Sequence, residues 1–129
     1  MGILDATRVR AALGSRLADR FLQYTTEPDE AERRGLLLRI DEHLAQIQRA
    51  AARRRDGQPD VARGGEMAAV CKRLLLRCPV HGEACAAIVA AVRYFIDTHD
   101  LERDDEPHGF DDDEQVLSFV ADAVAPELH

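Results

Sequence analysis

The chain has 129 residues, 46% of them hydrophobic and 32% charged, with a formal net charge of −7, which favours one globular domain. No run approaches the ~18 apolar residues of a membrane helix, and Met1-Gly2-Ile3-Leu4-Asp5 lacks the basic-then-apolar pattern of an export segment. The expected setting is therefore the cytoplasm, with no membrane partner, and three cysteines, an odd number, argue against a disulfide framework.

Helical periodicity dominates the chain. Over residues 5–24, Val9, Leu13, Leu17 and Phe21 recur every four residues and form one apolar stripe. Thr26 reads as the N-cap of a second helix, residues 27–55, with Pro28 harmless in the first turn. Leu36, Leu37, Ile40, Leu44, Ile47 and Ala51 supply its expected buried face, and Gly35 weakens it. Its end carries Arg49, Arg53, Arg54 and Arg55, where the helix dipole favours cations. Residues 56–65, closing in Gly64-Gly65, read as a candidate flexible linker.

A third helix is expected over residues 66–77, with Met67, Val70, Cys71, Leu74 and Leu75 inward. Cys78-Pro79-Val80-His81-Gly82 breaks it. The fourth, residues 83–97, is the most apolar, and its alanines allow close approach of neighbours, which places it centrally. The last begins after Gly109-Phe110. There Asp111 and Glu114 match a capping box, and Val116, Leu117, Phe119, Val120 and Val124 pack inward. No strand pattern is readable. The expectation is a single all-α bundle of four to five helices with short connections between antiparallel neighbours.

Charge is unevenly placed. Residues 1–77 hold 15 Lys/Arg and 11 Asp/Glu, net +4, and residues 78–129 hold 2 Arg and 13 Asp/Glu, net −11. Nine carboxylates fall between Asp100 and Glu114. In that stretch Tyr94 marks a helix end, Asp100-Leu101 and Asp104 follow, Pro107 lies in the loop, and Gly109-Phe110-Asp111-Asp112 opens a helix. This pattern over residues 85–124 resembles the YkvA-like family, small bacterial helical proteins of unknown function. Thr98 and Arg103 stand where that family has prolines, and Glu102 where it has isoleucine. The resemblance implies a helical fold and brings no catalytic residues.

Three constellations could carry chemistry. Cys71, Cys78, His81 and Cys85 are spaced C-x6-C-x2-H-x3-C, and thiolate with imidazole suits tetrahedral zinc. Cys71 and Cys78 stand two helical turns apart, about 10.5 Å, so both could ligate only if the helix end bends inward. In the acidic stretch, Asp104, Glu106, His108, Gly109 and Asp112 fall near calcium-loop positions, but Gln115 stands where the bidentate Glu belongs. The arginines at 49–55, with Arg63, could touch phosphates, yet no aromatic lies near them for base stacking. The acidic chain as a whole opposes a nucleic-acid partner.

No nucleophile, base and orienting group share a readable spacing, and neither a glycine-rich phosphate loop nor H-E-x-x-H is present. The expected role is a non-catalytic regulatory or adaptor-type protein that binds another protein and needs no cofactor. Its expected contact is the acidic segment, through Asp97, Asp100, Glu102, Asp104, Asp105 and Glu106, toward a basic partner surface. A structural zinc module on the Cys/His set is the first alternative, and a nucleic-acid-associated role for the 49–55 arginines the second.

Overall fold

The computed structural model describes residues 2–53, 61–97 and 110–127. Among them the protein is all-α, with α1 (Ala6–Leu13), α2 (Ser15–Leu22), α3 (Glu30–Ala52), α4 (Val61–Leu76), α5 (Glu83–Ile96), α6 (Asp111–Val124) and a terminal 3-10 turn, Ala125–Glu127. The described residues thus form six helices, where the apolar periodicity predicts four to five.

The extra helix comes from Gly14. A single apolar stripe predicts one helix over residues 5–24, but Gly14 has φ +79°, outside the helical region, and divides it. Both halves keep the stripe, since Val9, Leu13, Leu17 and Phe21 are all buried. Asp5 caps the first half by accepting from the Thr7 and Arg8 amides at 3.0 and 3.2 Å. Glu83, in the first turn of α5, accepts from the amides of Ile3 (2.6 Å) and Leu4 (3.1 Å) and ties the start of the chain to the core.

Helix α3 starts later than its sequence suggests. Asp29, not Thr26, is the N-cap, accepting from the Glu32 amide at 2.8 Å. Thr26 is used elsewhere, as a partner of Arg93. Leu36, Ile40 and Ile47 are buried as expected, but Leu37 is 40% exposed. At α4 the linker expectation meets helix: Val61 through Gly65 are helical, and residues 56–60 lie outside the described residues. Gly64 is buried there, and a Cβ on it would stand 3.4 Å from both Ile47 and Phe110. A bare backbone at this position lets the α3 end, the α4 start and the α6 start converge.

Helix α5 is apolar on every side, with buried residues all round from Ala84 to Ile96. A helix of that kind has to be covered on all sides, and α2, α3, α4 and α6 cover it. The sequence-based central position of this helix therefore holds. At α6 the capping-box expectation fails. Phe110 occupies the N-cap and makes no side-chain cap. Asp111 is already inside the helix, and its carboxylate reaches sideways to Arg63 at 2.7 Å. Four acids in the first turn serve the positive helix end instead.

Two glycines separate conformational need from habit. Gly35 sits inside α3 with open space where a Cβ would go and no positive φ. Gly35→Ala should raise stability by about 0.5–1 kcal/mol. Gly14→Ala also meets open space, but in a left-handed conformation, and should lower stability by about 1–2 kcal/mol. Urea denaturation of the two variants checks both signs.

Candidate interaction groove

The register of α3 against α4 sets up the surface. At one end the Arg33 guanidinium donates to the carbonyls of Val80 (2.8 Å) and Pro79 (3.2 Å), just past α4. One stretch further on, Lys72 pairs with Asp41. At the far end Gly64 meets Ile47. The two helices are therefore antiparallel. Arg33, Leu37 and Asp41 lie on one stripe of α3, and Lys72 and Leu76 on one stripe of α4. Leu37 and Leu76 consequently occupy the same level, between the two polar contacts.

Both helices carry three consecutive leucines at this level, residues 36–38 and 74–76. Successive residues on a helix point about 100° apart, so three in a row cannot share one buried face. Leu36 and Leu74 go into the core. Leu75 is partly buried against the core, and the others come out: Leu37 is 40% exposed, Leu38 61%, Leu76 77% and neighbouring Val80 63%. These are the large hydrophobic side chains most exposed among the described residues; the register puts Leu37 level with Leu76, and Val80 lies just past α4 beside Arg33 and Arg34, one turn before Leu37 and Leu38.

Leu76 also forms one lip of a groove between α4 and α6. Its wide part, about 640 Å³, has an apolar floor of Met67, Val70 and Leu117. Its walls carry Arg63, Glu66, Glu114 and Asp122. A second depression of about 470 Å³ continues it past Val70, Arg73 and Ala121 to Leu76, Arg77 and Ala125. From Arg63 to Arg77 the groove follows α4 for about 21 Å at 1.5 Å per residue. Its two ends differ electrically. At the wide end Arg63 is held by Asp111 and Glu114, and both carboxylates raise its already high pKa. At the Leu76 end the lining includes Arg73 and Arg77 and no carboxylate, and neither arginine forms an ion pair with a described residue.

The predicted zinc ligands are not brought to one point. Cys78 and Cys85 meet across the 78–82 turn, where Cys78 Sγ donates to the Pro79 carbonyl (3.3 Å) and Cys85 Sγ to that of Val80 (3.6 Å). Burial, reinforced by Cys85, pushes the Cys78 thiol up to about 12. Cys71 is fully buried on α4, where desolvation and then the Asp113 charge push its thiol upward. His81 is exposed beside Pro28, Glu30 and Arg33. Among the described residues no group of three or more His, Cys, Asp or Glu side chains is placed to hold a metal ion.

The acidic segment is described only at its edges. Asp100, Glu102, Asp104, Asp105 and Glu106 lie outside the described residues. Asp97 accepts a hydrogen bond from the Tyr24 hydroxyl. Of the cationic group, Arg54 and Arg55 are outside the described residues, Arg49 and Arg53 end α3, and Arg63 is engaged by α6. The start of α6 and the end of α3 meet at Gly64, so Asp111 and Glu114 lie at the same pole of the fold as the α3 end that carries Arg49 and Arg53. The acidic groove end belongs to that pole and the leucine end to the other.

Beside Asp97, Arg93 organises a polar cluster. It donates to Glu32 at 2.9 and 2.5 Å, to the carbonyls of Tyr24 (2.7 Å) and Thr26 (2.5 Å), and to the Thr26 hydroxyl (3.0 Å). This clamps α5 to the connection between α2 and α3.

In comparisons with known proteins, no family model, no curated protein and no solved structure matches this chain. Among the described residues no helix is long and apolar enough to cross a membrane.

The Arg93–Glu32 pair has a signed consequence. Its hydrogen bond holds the Glu32 carboxyl below the ordinary 4.5, with burial opposing. A depressed folded pKa stabilises fully above the unfolded value and is lost as pH falls below it. Stability should therefore drop on acidification below pH 4.5, and Glu32→Gln should flatten that limb while lowering stability at pH 7. Arg93→Met should cost about 3 kcal/mol, since it strands a half-buried carboxylate and two carbonyls. Denaturation midpoints measured from pH 3 to 7 check both.

Proposed function

We propose that this protein is a non-catalytic adaptor or regulatory module that works by binding another protein through the surface around the C-terminal end of α4. The observation that carries the reading is the exposure of Leu37, Leu38, Leu76 and Val80 together. Scattered exposed leucines are ordinary, but a gathered set rimmed by charge marks an interaction surface. Here the rim carries Arg33, Arg34, Arg73 and Arg77, with Arg34 paired to Glu30. Interfaces are enriched in arginine and depleted in lysine relative to the rest of the surface.

A second contact through the acidic 97–114 segment belongs to the same reading. Its edges, at Asp97, Asp111 and Glu114, have intramolecular partners, so a basic partner surface would meet the residues between them.

The two contacts separate by mutation. A partner recovered by affinity capture should bind Leu76→Asp at least tenfold more weakly than the parent chain, with an unchanged or higher melting temperature because Leu76 is exposed. Neutralising Glu102, Asp105 and Glu106 together should have a smaller effect. If Leu76→Asp binds normally and the triple neutralisation abolishes binding, the contact is the acidic segment and the leucine surface is idle.

A further inference from the structure

Resting on that reading, we infer that the occupant of the α4–α6 groove is an amphipathic helix of the partner, apolar along one face and acidic at the end that lies over Arg73 and Arg77. The shape fits a helix. The groove is open, about 21 Å long by the rise along α4, and floored by Met67, Val70 and Leu117 with Leu76 at its lip. An amphipathic helix laid in such a groove presents apolar side chains at i, i+3, i+4 and i+7, and about four turns match the length available. A methionine in the floor suits a surface that repacks around its ligand.

The charge gives the polarity. In the wide part, the cations Arg63 and Arg73 face Glu66, Glu114 and Asp122, and Arg63 is already bonded to Glu114. That end offers no surplus positive charge to a ligand. In the narrow part the lining holds Arg73, shared with the wide part, and Arg77, and no carboxylate of its own. They lie where α4 ends, so the negative helix end offsets part of their field, yet the full charge of Arg77 alone exceeds that partial one of about half a charge. A partner carboxylate over Arg73 and Arg77 gains charge-assisted hydrogen bonds, whereas one at the wide end meets Glu66 and Glu114. Reversed docking is thereby disfavoured, which sets register as well as affinity.

The test selects from a displayed library of 16-residue amphipathic helices, with the apolar positions fixed and the charge positions at both ends varied, against the full chain. The expected result is enrichment of Asp and Glu at one end only. Binding of the selected peptide should fall about tenfold in the Arg73→Glu, Arg77→Glu double variant, chiefly through association rate, and weaken with salt. A peptide with that end changed to lysine should recover binding to the double variant. Ala121→Gln, which narrows the groove where its two parts join, should weaken all selected peptides, with the melting temperature measured in parallel.

Selected peptides that show no end preference and bind the double variant equally overturn the charge polarity while leaving the interaction reading in place. Peptides insensitive to Ala121→Gln but lost on Leu37→Asp overturn the groove, since the occupant then lies on the α3–α4 seam. Failure to enrich any peptide overturns the groove inference and leaves the protein-binding reading to the captured partner, whereas preferential binding of the full chain to phosphatidylglycerol vesicles overturns both.

Discussion

The architecture depends on one constraint, the need to cover α5 on every side. Its sequence, Glu83 through Ile96, contains five alanines and a full turn of branched and aromatic side chains, and almost none of its surface suits water. Small side chains bring neighbours close, and α2, α3, α4 and α6 are drawn around it. The outer helices therefore spend their best apolar residues inward. Leu17, Leu36, Leu74 and Leu117 are all buried in this shell. Polar clamps then fix the shell in place. Glu83 holds the chain start, Arg93 holds the α2–α3 connection, and Arg63 holds the start of α6.

The same constraint explains what is left on the outside. A helix that buries one face of a three-leucine run must expose another, and α3 and α4 do this side by side because they are antiparallel and in register. Core packing alone would tolerate polar residues at Leu38 and Leu76, since neither is enclosed. Their presence beside an open α4–α6 groove and arginines that form no ion pair with a described residue is the feature that asks for a partner. The opposite pole is electrostatically more self-contained, because the cation of α4 and the acids of α6 meet there.

Much of the fold was legible in the sequence, because a 3.6-residue apolar period reads directly as a buried face. The central helix, the inward residues of α4 and the all-α class follow from it. The break at Gly14 was not legible, since the stripe continues through it and only the positive φ reveals the turn. Gly64-Gly65 read as loop because glycine pairs usually punctuate, whereas here Gly64 is a close-packing position. Asp111 matched a capping pattern, but the helix begins one residue earlier than that pattern supposes, and Asp111 pairs with Arg63, distant in sequence. The leucine surface was encoded in plain view by the runs at 36–38 and 74–76; reading Leu37 as buried overlooked that consecutive residues on a helix diverge. The resemblance to the YkvA-like family rests on residues 85–124 alone, many of which fall outside the described residues.

The central claim is that the exposed end of α4 is a contact surface, and site-specific photo-crosslinking tests it most directly. A benzophenone amino acid placed at position 76 in the producing cell reports what lies against that surface, with position 11 on the exposed side of α1 as the control. The account predicts one discrete protein adduct at position 76, lost when Arg73 and Arg77 are reversed in charge, and none at position 11. Equal or diffuse labelling at the two positions would contradict it, and the leucines would then be surface residues without a partner.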